Sequence, residues 1–136
     1  MSVAVLDEVG HAGLDSKRAS RLFAAALSTL GLDLKRIGDV SVALVDAETI
    51  RDLNFEFRDR DEPTDVLSFE VDGPYGEMVG EVVICPKCAH HGMSVDELVV
   101  HGALHLGGME HGEDFESSEM ARLQRAVMEE LRGEEG

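Results

Sequence analysis

The stretch LVVHGALHL, residues 98–106, decides the predicted fold because it is apolar on nearly every side over the length of a helix. A helix without a polar face has to be buried among other elements. The preceding SVDE, residues 94–97, has the spacing of a capping box, and the two glycines at 107–108 can end the helix. The sequence therefore predicts a buried central helix that carries His101 and His105.

Periodicity elsewhere predicts strands and amphipathic helices around this central helix. The predicted strands are an edge strand within Val3–Val9, a buried strand from Val40, and the hairpin strands at 65–71 and 81–85. The other predicted helices begin at Asp15 or Ser16, after Asp46, at Pro86 as a short turn, and at about Asp114, the last running to Arg132 with Gly133 as its stop. Together these elements predict an α+β fold, with a mixed sheet of about four strands and about five helices.

Length and composition predict one globular domain over residues 1–136, with 43% hydrophobic and 29% charged residues. No apolar run approaches the ~18 residues that a membrane span needs. The start, MSVAVLDEVG, lacks the basic flank and cleavage site of a signal peptide. We therefore expect a cytoplasmic protein without a membrane partner.

Three histidines and three glycines fall within HGALHLGGMEH, residues 101–111. On a helix, His101 and His105 lie about 40° apart around the axis and ~6 Å along it, so they can bind one metal ion. A continued helix would carry His111 out of reach, but a glycine with positive φ can turn the chain back. The spacing predicts a metal site formed by His101, His105 and His111.

Three neutral imidazoles that leave one position open are typical of catalytic zinc, although other divalent metals also accept such ligands. We expect one zinc ion per chain. The same histidine spacing occurs in metzincin proteases, where a glutamate after the first histidine is the general base. Gly102 occupies that position here, which disfavours a metalloprotease because the group that activates water is missing.

Three separated motifs resemble the YbeY-type family of bacterial metal-dependent endoribonucleases. HGALHLGGMEH is similar to the family's H-G-x-L-H-L-x-G-Y-D-H, and residues 54–71 look like its N-x-x-F-R-x-x-D-x-P-T-D-V-L-S-F segment. GEVVICPKCA is similar to its G-D-I-x-I strand, and the resemblance spans roughly residues 38–131. Met109 and Glu110 replace the usual tyrosine and aspartate, and Glu70 stands where a proline is common.

The resemblance implies that His101, His105 and His111 bind the metal and that Arg58 is functional. It also implies cleavage of single-stranded RNA in ribosomal RNA maturation and ribosome quality control. A guanidinium is well suited to hold a phosphodiester and to stabilise charge on its oxygens. We expect the metal at His101 to act as a Lewis acid beside Arg58, with either water or the RNA 2′-hydroxyl as the attacking oxygen.

A formal net charge of −16 disfavours non-specific binding to nucleic acid. Arg51, Arg58 and Arg60, together with Lys87, are the basic residues expected near the site. We therefore predict weak, salt-sensitive RNA binding, with targeting by the ribosome or a ribosomal protein. DNA is not an expected partner.

Two further functional hypotheses remain at this stage. CPKC, with Cys85 and Cys88, has the spacing of a redox pair or of half a zinc site with His90 or His91, although two structural thiols are the preferred interpretation. A non-enzymatic ribosome-assembly protein with a structural metal is the other hypothesis. Four protein ligands without an exchangeable water would distinguish it from an enzyme.

Overall fold

The computed structural model describes residues 1–11, 13–89, 92–110, 115 and 118–135, which build one α+β domain. The strands are β1 (Ser2–Asp7), β2 (Ile37–Leu44), β3 (Val66–Asp72) and β4 (Met78–Ile84). The α-helices are α1 (Ser16–Thr29), α2 (Ala47–Arg58), α3 (Val95–Leu106) and α4 (Glu119–Glu135), and the single 3-10 turns are Leu34–Arg36 and Pro86–Cys88. The described residues thus contain four α-helices where about five helices were predicted, and the fifth, the short turn predicted at Pro86, is the 3-10 turn Pro86–Cys88. None of these helices is both long and apolar enough to cross a membrane.

The four strands form one mixed sheet in the order β1-β2-β4-β3. β2 is parallel to both β1 and β4, so that Val42 lies opposite Val5 on one side and Val82 on the other. β3 and β4 are antiparallel, which confirms the predicted hairpin. The predicted edge strand and the predicted central strand are confirmed as β1 and β2.

The two faces of the sheet carry different cores. On one face, the buried side chains of β2 and β4 pack with those of α1, α3 and α4 in the larger apolar cluster. On the other face, Ile50 of α2 packs with Leu67 and Val83 in a smaller cluster. Hence α2 and α3 lie on opposite sides of the sheet.

Helix α3 is the most enclosed element, as its apolar composition predicts. Leu98, Val99 and Leu104 are fully buried, and the helix lies between the sheet, α1 and α4. The predicted capping box is present, since the Ser94 hydroxyl accepts from the Glu97 amide and the Glu97 carboxylate accepts from the Ser94 amide. A guanidinium–carboxylate pair between Arg18 of α1 and Asp96 of α3, at 2.5 Å, joins the beginnings of the two helices.

The predicted limits of the last helix were wrong at both ends. α4 begins at Glu119 rather than near Asp114, and the Ser118 hydroxyl accepts a hydrogen bond from the Ala121 amide at 3.1 Å, as an N-cap does. Asp114 itself lies outside the described residues. The helix also continues through Gly133 to Glu135, because Gly133 does not adopt the positive φ that would end it.

Candidate metal and phosphodiester site

The end of α3 matches the geometry predicted for the double glycine. The helix ends at Leu106, and Gly108 takes φ of 100°, a left-handed conformation that side chains with a Cβ rarely adopt. The Met109 amide then donates back to the Leu104 carbonyl at 3.0 Å. The chain turns immediately after the helix, as the prediction required.

His101 and His105 meet through their Nε2 atoms, which lie 3.2 Å apart. Nδ1 of His101 contacts the side-chain oxygen of Gln124 in α4 at 2.9 Å, and Nδ1 of His105 contacts the Met109 carbonyl at 2.9 Å. His101 is only 6% exposed, and the Phe115 ring packs edge-on against it with centroids 4.8 Å apart. Both imidazoles are therefore held at their outer nitrogens while their inner nitrogens converge.

The contacts at the outer nitrogens suit neutral rings that carry their protons on Nδ1. A carbonyl can only accept, so His105 donates from Nδ1 to Met109. The Gln124 amide group lies 3.8 Å from the Met93 sulfur, which leaves its oxygen to accept from Nδ1 of His101. Each Nε2 then presents a lone pair to the other ring.

Two facing lone pairs suit a shared cation. Two nitrogen ligands of one tetrahedral zinc ion lie about 3.3–3.4 Å apart, given Zn–N bonds of about 2.0–2.1 Å. The 3.2 Å between the Nε2 atoms is close to that separation. Partners on the outer nitrogens are also typical of metal-binding histidines, because they orient the ring and raise its basicity. The described donor set fits two ligands of a zinc ion.

The third predicted ligand, His111, lies outside the described residues. Within the described ranges, no group of three or more His, Cys, Asp or Glu side chains is arranged to hold a metal ion. The structure thus brings together two of the three predicted ligands, and the role of His111 stays a prediction.

Gly102 lets α3 lie unusually close to the sheet. A Cβ on this residue would collide with a methyl group of Val82 and come within 3.2 Å of Val66. Val82 is fully buried in the core, so it has little room to move. Position 102 therefore faces the packed sheet, and a glutamate base of the metzincin type cannot be accommodated there without displacing the helix.

Arg58 belongs to α2, which packs on the opposite face of the sheet from the helix of the histidines. It is the last residue of α2, and its guanidinium donates to the Ser68 carbonyl of β3 at 3.3 Å. The Ser68 hydroxyl in turn donates to the Gly102 carbonyl of α3 at 3.0 Å. Ser68 thus links the arginine to the residue that follows His101.

The turn after α2 is also held in place. Asp59 takes φ of 57°, and the Arg60 amide donates to the Asn54 carbonyl at 3.3 Å. The buried Asn54 side chain donates to the Glu62 carbonyl at 2.9 Å. Asn54 therefore ties the turn back to the helix that presents Arg58.

Arg58 and His105 line one cleft of about 210 Å³, which we call the His–Arg cleft; its other polar side chains belong to Ser68, Glu70 and Glu110. Among the described residues that line it, Arg58 is the one arginine or lysine. The two positions where acidic residues differ from the family pattern, Glu70 and Glu110, both lie in this cleft. The site pairs one guanidinium with two carboxylates.

The other predicted basic residues do not line the His–Arg cleft. Arg51 donates to the Asp61 carboxylate at 2.9 Å, a contact that raises the pKa of the arginine. Arg60 lies 3.8 Å from the Glu62 carboxylate, and Lys87 lines a separate cleft with His11 and Asp46. The expected basic group is therefore not assembled around Arg58.

Cys85 and Cys88 occupy the end of β4 and the 3-10 turn that follows it. Cys85 is fully buried in the smaller core cluster, and Cys88 packs against the same cluster. Burial, followed by the hydrogen bond to Cys85, raises the pKa of the Cys88 thiol to about 11. A protonated, partly buried thiol is typical of a structural cysteine rather than a redox pair. His90 and His91, the hypothetical zinc partners, lie outside the described residues.

Sequence reasoning missed two residues that support the site. Gln124 lies on the inward side of α4 and is 4% exposed. Its burial could have been predicted, because it stands four residues after Met120 and so falls within the apolar stripe of the helix. Ser68 lies within the matched motif, but its position on the α3 face of β3 depends on how the sheet and the helix pack.

The fold and the histidine pair define an α+β protein with a candidate metal site on a buried helix. The family model for Endoribonuclease YbeY matches residues 7–132, so the chain belongs to the endoribonuclease YbeY family. The chain is 63% identical over 132 residues to Endoribonuclease YbeY of Rubrobacter xylanophilus, covering 96% of each protein. It is 32% identical over 150 residues to Endoribonuclease YbeY of Mycolicibacterium paratuberculosis, covering 96% of this chain and 83% of the relative.

A solved structure is similar over nearly the whole chain. The solution structure of TM1509 from Thermotoga maritima matches with a TM-score of 0.51 at 30% sequence identity, covering 97% of this chain and 90% of that one. This similarity supports the α+β fold described above.

Proposed function

We propose that this protein is a zinc-dependent endoribonuclease that cleaves single-stranded RNA in ribosomal RNA maturation and ribosome quality control, in the cytoplasm. His101, His105 and His111 hold the ion, and Arg58 binds the phosphodiester. Membership of the endoribonuclease YbeY family and the names of the relatives support the reaction class.

The observation that carries the proposal is the convergence of the two Nε2 atoms at 3.2 Å, with both outer nitrogens engaged. Such an arrangement prepares two ligands before any ion arrives, so less ordering is needed on binding. His105 and Arg58 line one cleft, which supports the proposal that the metal and the guanidinium act on the same substrate.

Each residue of the proposed site then has a distinct role. A zinc ion bound by the histidines supplies Lewis-acid chemistry at the phosphodiester. The Arg58 guanidinium holds phosphate oxygens and neutralises the charge that develops on them during in-line displacement. Ser68 positions Arg58 relative to α3, while Gln124 orients His101.

The charge of the cleft favours a partner that delivers the RNA. One arginine among two cleft carboxylates, in a chain of net charge −16, contributes little long-range attraction to a polyanion. We therefore infer weak binding of free RNA and delivery by the ribosome or a ribosomal protein.

The test combines metal analysis of the purified protein with cleavage of single-stranded RNA before and after chelation. We expect about one zinc ion per chain, loss of cleavage on chelation and recovery when zinc is added back. Four protein ligands without RNA cleavage would instead indicate a structural metal. If the metal-loaded protein leaves RNA intact alone and with ribosomes, the proposal is wrong.

Two arginines separated by one residue provide a matched control. Arg58→Ala removes the guanidinium in the cleft, and kcat/KM should fall about 100-fold or more, as when a transition-state hydrogen-bond donor is lost. Arg60→Ala removes an exposed arginine that lies 3.8 Å from Glu62 and does not line the cleft, so kcat/KM should stay within about twofold. Equal losses in the two variants would contradict a specific role for Arg58.

A further inference from the structure

A second cleft adjoins the His–Arg cleft and is larger, with a volume of about 360 Å³. The two clefts share Glu70 and Leu106, so they form neighbouring parts of one surface. We call this second cleft the hairpin cleft, because Gly76, in the turn between β3 and β4, is one of the residues that line it. A strand of RNA held at Arg58 therefore has a second depression within immediate reach.

The lining of the hairpin cleft suits a flat, uncharged group better than a phosphate. Leu32, Met78 and Leu106 contribute apolar surface. Three acidic residues, Asp33, Glu70 and Asp72, line the cleft together with one basic residue, Arg36. The excess of negative charge repels phosphate, whereas carboxylate oxygens accept hydrogen bonds from the amino groups of nucleobases.

Tyr75 follows Pro74 at the tip of the β3–β4 hairpin, next to Gly76 in the cleft wall. Its side chain is 94% exposed, the largest exposed fraction among the large hydrophobic residues that the structure describes. Two hydrogen bonds close this turn: the Glu77 carboxylate accepts from the Tyr75 amide at 2.9 Å, and the Gly73 amide donates to the Glu77 carbonyl at 2.7 Å. The turn thus carries an exposed aromatic residue directly before Gly76, which lines the cleft.

We propose that the hairpin cleft is a nucleobase subsite for single-stranded RNA and that the Tyr75 ring stacks on the base bound there. This inference rests on the proposed function, because it assigns the base next to the phosphodiester held at Arg58. Single-stranded RNA is commonly bound by stacking on aromatic side chains together with hydrogen bonds to base edges. Glu70, which lines both clefts, is an acceptor for the amino group of that base.

The composition of the chain provides a direct reporter for stacking. Tyr75 is the single tyrosine, and the chain contains no tryptophan, so tyrosine fluorescence comes from this position alone. The protein is titrated at low salt with a short 2′-O-methylated oligocytidine, and a gel checks that the oligonucleotide stays intact. A parallel titration of free tyrosine amide corrects the fluorescence for light absorbed by the RNA. We expect saturable quenching of the tyrosine fluorescence. The proposal is overturned if the fluorescence stays unchanged at RNA concentrations at which anisotropy shows that binding is saturated.

Cleavage kinetics test the same subsite without fluorescence. Tyr75→Ala should raise KM roughly 5- to 150-fold, the range that stacking contributes per base, with kcat nearly unchanged. Tyr75→Phe retains the ring and should keep the wild-type KM. Phe55→Ala removes another exposed aromatic, on α2 and outside both clefts, and should also keep it.

The outcomes separate this inference from the proposed function. RNA cleavage with an unchanged KM in Tyr75→Ala overturns the subsite and leaves the endoribonuclease standing. Absence of RNA cleavage and binding in the wild-type protein overturns both. Oligocytidine should bind more tightly than oligouridine, which has no amino group, and the reverse order overturns the role given to Glu70.

Discussion

The histidine pair on α3 and the cysteine pair after β4 both have a spacing that could bind metal, but their surroundings differ. The Nε2 atoms of His101 and His105 converge at 3.2 Å, and polar partners on other residues hold their outer nitrogens. Cys85 is fully buried among apolar side chains, and burial raises the pKa of Cys88 to about 11.

The difference shows that ligand spacing is only the first requirement for a site. A metal ligand must present its lone pair in the form that binds, which is neutral for histidine and deprotonated for cysteine. The partners of the histidines occupy Nδ1 and leave each Nε2 turned toward the other ring, whereas burial raises the pKa of the Cys88 thiol and so disfavours its metal-binding form. Four predictions, in order of decreasing expected effect, follow from the packing around these residues.

The largest expected effect is that of His101→Ala. Removal of one ligand should eliminate stoichiometric zinc and reduce RNA cleavage below detection, while the circular dichroism spectrum stays that of the folded protein. Metal analysis and a cleavage assay measure both losses. His11→Ala, at a histidine that lines a separate cleft with Asp46 and Lys87, serves as the control and should change neither. Full activity in His101→Ala would remove the basis for the metal site.

Two helical glycines should respond in opposite directions to alanine. Gly102→Ala places a methyl group against Val82 and should lower the free energy of unfolding by about 1–3 kcal/mol. Gly133→Ala in α4 meets open space and should raise it by up to about 1 kcal/mol through helix propensity. Urea unfolding measures both changes. Equal stabilisation of the two variants would mean that α3 does not lie so close to the sheet.

Loss of the partner of His101 should weaken metal binding without abolishing it. Gln124→Ala removes the acceptor on Nδ1 and should reduce zinc affinity about 10- to 100-fold. Gln124→Glu keeps an acceptor at the same position and should restore the affinity. Competition with a chromogenic chelator gives both values, and wild-type affinity in Gln124→Ala would show that the contact does not tune the site.

The smallest effect is expected at Cys88. With the thiol pKa raised to about 11, its alkylation at neutral pH should be much slower than that of free cysteine and should rise as the pH approaches 11. Between the unfolded value of 9.0 and about 11, the folded state retains a proton that the unfolded state has lost. The contribution of Cys88 to stability therefore falls as the pH rises through that window. Fast alkylation at neutral pH would reopen the redox hypothesis.

Much of the fold could be predicted from local patterns. The capping box at Ser94, the hairpin of β3 and β4 and the positive φ after α3 each depend on residues close together in sequence. The start of α4 could not be predicted in this way, because the apolar periodicity does not say which of several polar residues caps the helix. The predicted end of α4 at Gly133 was wrong for a related reason, because glycine permits a helix to end without requiring it.

The candidate site was predictable only in part. The spacing of His101 and His105 follows from helical geometry, and the position of Arg58 in a matched motif marked it as functional. The contacts that orient these residues join α3 to α4 through Gln124 and α2 to α3 through Ser68. Such contacts depend on packing between distant segments, which no local pattern encodes.

Local sequence was enough to predict the buried helix, the spacing of its histidines and the resemblance of its motifs to a family pattern. Packing between distant segments was needed to show that each Nδ1 is engaged, that Gly102 lies against the sheet, and that of the four basic residues expected near the site Arg58 alone lines the cleft. The physical reason is that spacing along a helix follows from backbone geometry, whereas protonation, close packing and charge depend on which side chains the fold brings together.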